Sequence, residues 1–261
     1  MAVSRLALAI GLVLIASGAS ARNPAASEDT APKAQKNPAN LKAGKLAWAK
    51  VVKALGGDAL KDIQAMRSTG NLTVNMGEQT VAFKHTTLVA FPDRARQVLA
   101  TPAGDQTIIL NAQEGFILFG EKVQPMPKEV FEDQKQEQNR NLFYLLRYSN
   151  EPGLEITAAG QEQVNGADCQ TLAVSFKGLQ FRLWVSPDGK VVKQSYPGAH
   201  PFTRAPGLIE NYLSEYRPEG PLLIPHKMTR RFEGQDVVTV TVDAFDLNPK
   251  VEPEAFKKPA Q

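Results

Sequence analysis

Cysteine is nearly absent from this sequence, because Cys169 is the single one among 261 residues. One cysteine cannot form a disulfide bond within the chain, which excludes a small fold stabilised by disulfides. The surrounding stretch, GADCQTLAVSF, predicts a strand after a turn. An unpaired cysteine in such a place is usually a buried side chain. We therefore expect Cys169 to pack in the core and not to act as a reactive thiol.

The residues that carry most metal and acid–base chemistry are also scarce. The three histidines, His85, His200 and His226, lie in no His-Glu-x-x-His or paired-cysteine motif. The sequence also lacks a G-x-S-x-G motif and a glycine-rich phosphate loop. We expect no cofactor and no catalytic site, so the chain is predicted not to be an enzyme. His85 shares a predicted strand face with apolar residues and is expected to be a hydrogen-bonded structural histidine.

A strong excess of charge is lacking as well. The chain has 30 Lys and Arg residues against 27 Asp and Glu residues. Proteins that bind nucleic acid usually concentrate basic residues in a patch or stripe. Nucleic acid is therefore not an expected partner.

The N-terminus has the pattern of a secretory signal. Arg5 precedes an apolar run at residues 6–16, and the small residues at 19–21 suit a signal peptidase. The run is much shorter than the ~20 apolar residues that span a bilayer. A cleaved signal peptide at residues 1–21 is therefore favoured over a membrane helix. No cysteine follows the predicted cleavage site to carry a lipid anchor, so we expect an exported, soluble protein.

The next segment, residues 22–40, is rich in Ala, Pro, Asn and charged residues and has no large apolar residue. Such a segment cannot bury a core and predicts a flexible linker. Residues 41–261 are then expected to form one domain.

A helix is predicted at the start of this domain. LAWAKVVKALGG places Trp48, Val51, Val52 and Leu55 on one helical face, and Gly56 is suited to end the helix. A second, short helix is predicted from Asp58 to about Met66.

After these helices the hydrophobic period changes to two, which is the strand value. Strands are predicted first at NLTVNM, TVAFKHTTLVAF, RQVLAT, QTIILN and GFILFG, and later at QTLAVSF, LQFRLWV, VVKQSY, IENYLSEY, HKMTRRF and DVVTVTVDAF. SPDGK predicts a hairpin turn. A sheet of about ten strands tends to curl, and its concave face must be filled or covered.

Between the two groups of strands lies PKEVFEDQKQEQNRNLFYLLRYS, which predicts one helix or two joined helices from about Lys128 to Tyr148. The acidic residues of FEDQKQEQ are predicted to form a solvated face. The apolar end, LFYLL, is expected to be buried, since each buried Leu or Phe contributes about 1.5–3 kcal/mol. It is either a core helix that caps one end of the sheet or a lid on an apolar cavity, and the pattern does not distinguish the two.

Four stretches, taken in order, resemble the LolA/LolB/RseB-like superfamily of periplasmic lipoprotein carriers, and above all its outer-membrane lipoprotein-sorting protein group. They are KVVKALGGDALKDIQAMRSTGNLTV, FPDRARQVLATPAGDQTIILNAQEGFIL, LWVSPDGKVVKQ and YLSEYRPEGPLLIPHKM. The resemblance covers roughly Leu41 to Pro259. It implies an α+β, mainly antiparallel β fold: an incomplete, unclosed β-barrel of about ten curved strands with an N-terminal helix and a helical lid.

The resemblance also implies a function. A monomeric periplasmic carrier would hold the acyl chains of a lipid or lipoprotein in an apolar cavity, and membrane proteins that transfer lipoproteins or export lipids would be its protein partners. The predicted cavity-lining residues are Leu72, Val74, Phe83, Phe116, Leu118, Phe143 and Leu146, and a register error of one residue would invert the strand assignments. The alternative is a non-catalytic module of the same fold that senses lipids or peptides or binds a protein partner.

Overall fold

The computed structural model describes residues 37–77 and 79–259. The strands are β1 (Ala65–Met76), β2 (Gln79–Ala90), β3 (Arg94–Thr101), β4 (Gly104–Leu110), β5 (Gly115–Phe119), β6 (Lys122–Pro125), β7 (Glu155–Val164), β8 (Ala167–Phe176), β9 (Leu179–Val185), β10 (Val191–Ala199), β11 (Pro206–Glu219), β12 (Leu222–Phe232) and β13 (Gln235–Leu247). The predicted signal peptide and most of the predicted linker lie outside the described residues.

All thirteen strands form one antiparallel sheet, ordered β6-β5-β4-β3-β2-β1-β13-β12-β11-β10-β9-β8-β7. Two meanders, β1 to β6 and β7 to β13, join where β1 pairs with β13. The outer strands β6 and β7 each have one partner, so the curved sheet stays open. This arrangement confirms the predicted mainly antiparallel, unclosed barrel.

The number of strands exceeds the predicted value of about ten, because β6 and β7 were not predicted. β6 has four residues, too few to show an alternating pattern. In β7, the run from Gln161 to Gln163 is exposed and polar, which hides the alternation. Both are edge strands, where polar residues are common because one side of the strand faces solvent.

The helices are α1 (Pro38–Leu55), α2 (Lys128–Arg140) and α3 (Leu142–Arg147), with short 3₁₀ helices at Gly57–Lys61 and Pro253–Phe256. The side chain of Asn37 accepts a hydrogen bond from the backbone N–H of Asn40 at 2.8 Å, so α1 begins inside the predicted linker. Gly56 ends it with φ of 69°, as predicted. The short helix predicted to reach Met66 is instead the first 3₁₀ turn, since β1 already begins at Ala65.

The main core lies on the concave face of the sheet, where α1 and α3 pack against β7 to β12. Of the face predicted for α1, Trp48, Val51 and Leu55 are buried, and Val52 is partly buried against the same core. The buried thiol of Cys169 lies in a smaller cluster with Trp184, as expected for a packed cysteine. The predicted hairpin turn at SPDGK joins β9 to β10, and Gly189 there has φ of 87°.

The predicted helical insertion consists of two helices that break at Asn141. This residue has an extended backbone, with φ of −61° and ψ of 135°, and its side chain accepts a hydrogen bond from the N–H of Phe143 at 2.9 Å. The cap therefore ends α2 and starts α3 in a new direction. Tyr144, Leu145 and Leu146 of α3 are buried, which confirms that the apolar end lies in the interior.

Candidate functional site

A cavity of about 340 Å³ lies between the concave face of the sheet and the two helices α2 and α3. Its volume falls within the ~300–1,000 Å³ range of ligand cavities in proteins. Most of its wall is apolar and comes from β1, β2, β12, β13 and α3. The principal apolar residues are Met66, Val89, Leu142, Phe143, Met228, Val240, Val242 and Phe245.

The seven residues predicted to line a cavity fall into four places. Phe143 lines the cavity, with its ring edge-on to that of Phe245 at 6.4 Å between centroids. Leu72, Val74 and Phe83 lie on the same concave face as the cavity wall, but farther along the strands. There they pack in a separate cluster with Leu99 and Val238.

The other three residues lie away from the cavity. Leu146 is 1% exposed and belongs to the main core beneath α3. Phe116 and Leu118 lie on the convex face, where they pack with Phe256 of the C-terminal 3₁₀ helix. The predicted alternation of side chains in β5 is thus shifted by one residue relative to the structure. A shift of one residue moves every side chain of a strand to the opposite face. Contact of any of the seven with a ligand stays a prediction.

A buried cluster of charged side chains closes one end of the cavity. Glu137 of α2 accepts hydrogen bonds from Arg230 Nη2 of β12 at 2.9 Å and from Arg140 Nη1 at 3.2 Å. The Tyr196 hydroxyl donates to the same carboxylate at 2.9 Å. Asn211 accepts from Arg230 Nε at 2.8 Å. The cluster joins α2 to three neighbouring strands, β10, β11 and β12.

The electrostatic surroundings fix the protonation states of this cluster. Burial lowers the pKa of Arg230, but the electrostatic effects of Tyr196 and Glu137 raise it by more. The pKa of Arg230 is therefore above its ordinary value. Burial is also the main cause that raises the pKa of Tyr196. Arg230 is therefore a cation, and Tyr196 is a neutral donor, at physiological pH.

The prediction that the acidic residues of FEDQKQEQ face solvent is wrong for two of them. Asp133 is 2% exposed and accepts a hydrogen bond from Arg204 at 2.6 Å, while the Glu137 side chain is 15% exposed. Their partners Arg204 and Arg230 follow them by 71 and 93 residues, which a reading of the helix alone does not show. The i, i+4 and i+7 spacing of Asp133, Glu137 and Arg140 was the available signal, because it puts all three on one helical face.

A polar strip crosses the opposite wall of the cavity on β2 and β3. His85 is buried, and its Nε2 lies 3.4 Å from the carbonyl oxygen of Thr241. Gln97 donates to the hydroxyl of Thr87 at 3.1 Å. Burial lowers the pKa of His85, although the Thr241 carbonyl and Asp243 act in the opposite direction. His85 is thus a buried, hydrogen-bonded histidine, as predicted.

A second depression, of about 760 Å³, lies at the outer edge of the sheet between the β5–β6 turn and Pro259. Glu121 and Lys122 line it, and it opens broadly to solvent. The cavity beneath α2 and α3 is the better candidate site, because it is less open and its walls are mainly apolar, which favours retention of a ligand.

Within residues 37–77 and 79–259, no group of three or more His, Cys, Asp and Glu side chains is placed to hold a metal ion. None of the helices in these ranges is both long and apolar enough to cross a bilayer.

No protein-family model and no curated protein sequence matches the chain. Solved structures, however, share its fold. A DUF1329 family protein from Desulfovibrio piger has a TM-score of 0.58 at 14% sequence identity, over 84% of this chain and 97% of that one. A LolA superfamily protein from Nitrosomonas europaea has a TM-score of 0.56 at 9% identity, over 82% and 97%.

A putative outer-membrane lipoprotein-sorting protein domain from Vibrio parahaemolyticus is similar to the same extent, with a TM-score of 0.54 at 10% identity, over 83% of this chain and 97% of that domain. Identities this low are informative about the fold alone. The chain therefore has the LolA-like fold, an unclosed β-barrel covered by helices, which the sequence resemblance implied.

Proposed function

We propose that this protein is an exported, periplasmic carrier that holds the acyl chains of a lipid or lipoprotein in the cavity beneath α2 and α3. The observation that carries the proposal is the partly enclosed, mainly apolar cavity on the concave face of the sheet. A shared fold does not define a function, so the proposal rests on the cavity itself. The name of the Vibrio parahaemolyticus structure, a putative lipoprotein-sorting domain, and the predicted signal peptide agree with the proposal.

The two helices are suited to act as a lid. Leu142 and Phe143 of α3 present apolar groups to the cavity, and an acyl chain can replace their contacts with little net loss of apolar burial. Besides the apolar contacts of Val130 and Phe131 with β4 and β5, α2 is held to the sheet and to the β10–β11 loop by ion pairs, Glu137–Arg230 and Asp133–Arg204. If α2 moves away from the sheet, water can solvate these charged groups. Opening an interface of this kind is less unfavourable than exposing an apolar interface of the same size.

Native mass spectrometry of the mature protein from the periplasm, followed by organic extraction and lipid identification, tests the proposal. We expect a stoichiometric acylated ligand, or uptake of one when lipids and lipopeptides are added. A protein that is purified empty and ignores both additions would contradict the carrier function. That result would favour the alternative of a partner-binding module.

Filling the cavity provides a matched test of its location. Val242→Phe adds a large side chain to the cavity wall on β13, and we expect it to reduce ligand uptake. Ala244→Phe places the same group at an exposed position two residues farther along the strand and should leave uptake unchanged. Equal uptake by both variants, with both folded, would show that ligands bind elsewhere.

A further inference from the structure

We infer that the cavity selects an acyl-chain amphiphile with one anionic headgroup, a carboxylate or a phosphate, and that this group lies beside Arg140 and Arg230. The inference rests on the proposed function, because it defines the headgroup of the ligand that the same cavity would hold.

The first reason is a charge imbalance at the polar end of the cavity. Arg140 and Arg230 both form ion pairs with the single carboxylate of Glu137. Asp133, one turn earlier on α2, pairs with Arg204 at 2.6 Å. Three guanidinium groups, those of Arg140, Arg204 and Arg230, therefore share two carboxylates, which leaves one positive charge in excess.

The second reason is the burial of these groups. The side chains of Arg140 and Arg230 are 8% and 7% exposed, so water screens their charges poorly. Arg140 Nε is buried without a hydrogen-bond partner in the described structure. A buried donor of this kind is unfavourable unless a ligand satisfies it. Carboxylate and phosphate groups match the planar set of guanidinium donors.

The third reason is the position of the cluster relative to the apolar wall. Arg140 and Arg230 line the same cavity as Phe143, Met228 and Val240. A ligand can therefore place its chain against the apolar side chains and its headgroup against the arginines. Because a volume of about 340 Å³ is near the lower end for ligand cavities, a single chain of medium length is the appropriate probe.

The test compares three ligands that share one chain and differ in the headgroup: dodecanoate, dodecyl phosphate and dodecanol. Binding to the mature protein is measured by isothermal titration calorimetry at about pH 8, where carboxylates are ionised. We expect at least one anion to bind roughly tenfold to a hundredfold more tightly than dodecanol. A cavity without a cation would show the reverse order, because desolvation of the anion is unfavourable.

Arg230→Gln tests the assigned site, and its control is Arg231→Gln. Arg231 is the next residue on β12, but it is partly exposed and pairs with Asp236 on the surface. We expect Arg230→Gln to abolish the preference for the anion and Arg231→Gln to retain it. A preference that persists in a folded Arg230→Gln variant would overturn the assignment of the headgroup to this cluster.

A rescue experiment uses Glu137→Gln, which leaves both guanidinium groups without their carboxylate. Dodecanoate should raise the Tm of this variant by more than it raises the Tm of the wild type, whereas dodecanol should raise both equally. If neither variant folds, the wild-type comparison of the three ligands still decides the question.

The outcomes separate the two proposals. Equal affinity for all three ligands, or a preference for dodecanol, would overturn the headgroup inference and leave the carrier function intact. No binding of any ligand, together with an empty native protein, would overturn both. Preference for dodecyl phosphate over dodecanoate, or the opposite order, would identify which anion the cluster recognises.

Discussion

Arg230 Nη2 of β12 and Glu137 Oε2 of α2 lie 2.9 Å apart in the interior, and this ion pair links residues that are 93 positions apart in the chain. The side chains are 7% and 15% exposed. The pair fixes α2 over the open face of the sheet and at the same time forms the polar end of the cavity. The contact that holds α2 in place is therefore also part of the proposed headgroup site.

Removal of the Glu137 charge should be strongly destabilising. Glu137→Gln leaves Arg140 and Arg230 buried without a carboxylate, and breaking a buried ion pair in this way typically costs about 3–5 kcal/mol. Urea unfolding measures the change in the free energy of unfolding. Glu132→Gln, at an exposed position of the same helix, should change it by less than about 0.5 kcal/mol. Similar stability of the two variants would show that the cluster contributes little.

Two leucines allow a matched test of α3 as a buried helix. Leu146 is 1% exposed, whereas Leu46 on α1 is 64% exposed. Leu146→Ala should lower the free energy of unfolding by about 2–5 kcal/mol, because it leaves a cavity in the core. Leu46→Ala should lie within about 0.5 kcal/mol of the wild type. A small loss in Leu146→Ala, measured by chemical denaturation, would mean that α3 is loosely packed.

Replacement of Gly44 by alanine should destabilise the protein, although the same substitution usually stabilises a helix. In an exposed helix, Gly→Ala stabilises by about 1 kcal/mol. Here, however, a Cβ at position 44 would lie 2.4 Å from the carbonyl oxygen of Ile156 on β7, so α1 has to move. We expect Gly44→Ala to destabilise by about 1–3 kcal/mol in thermal or urea unfolding, with the exposed Lys45→Ala as a control. A stabilised Gly44→Ala variant would contradict the close packing of α1 on β7.

His85 should make the fold sensitive to mild acid. Burial lowers its folded-state pKa below the ordinary value of 6.5, so the unfolded chain binds a proton more readily. Stability is therefore lost as the pH falls through about 6.5 towards the lowered folded-state pKa. His200, whose pKa burial also lowers, contributes with the same sign.

The measurement is the decrease in Tm between about pH 7.5 and about pH 5.5, a window in which most carboxylates remain ionised. We expect a smaller decrease for His85→Gln than for the wild type. His200→Gln, which alters the less buried ring, should reduce it less. An identical decrease in the wild type and in His85→Gln would show that His85 does not control the acid sensitivity.

Much of the fold was predictable because its signals are local. The 3.6-residue period of Trp48, Val51 and Leu55 and the cap at Gly56 belong to one helix, and the alternation of apolar residues marks most strands. The break at Asn141 between α2 and α3 is also local. The short strand β6 and the polar strand β7 escaped prediction because edge strands need little apolar alternation.

The candidate site was only partly predictable. Alternation shows that a strand has an apolar face, but it does not show which face is concave when both faces are covered. Phe116 illustrates this, because the C-terminal segment buries it on the convex face. Leu72 shows a second difficulty: it lies on the concave face, yet in a cluster at some distance along the strand from the cavity.

By itself, the sequence determined a mainly antiparallel β protein with helices that cover a curved sheet, because period, caps and turns act over a few residues. Only the tertiary structure decided what lies beneath the helices. The sequence around Glu137 predicts a solvated side chain, but the fold places Arg230 of β12 at 2.9 Å from the Glu137 carboxylate. The environment of a charge depends on chain segments that are distant in sequence, so the burial of Glu137 could not be predicted from α2 alone.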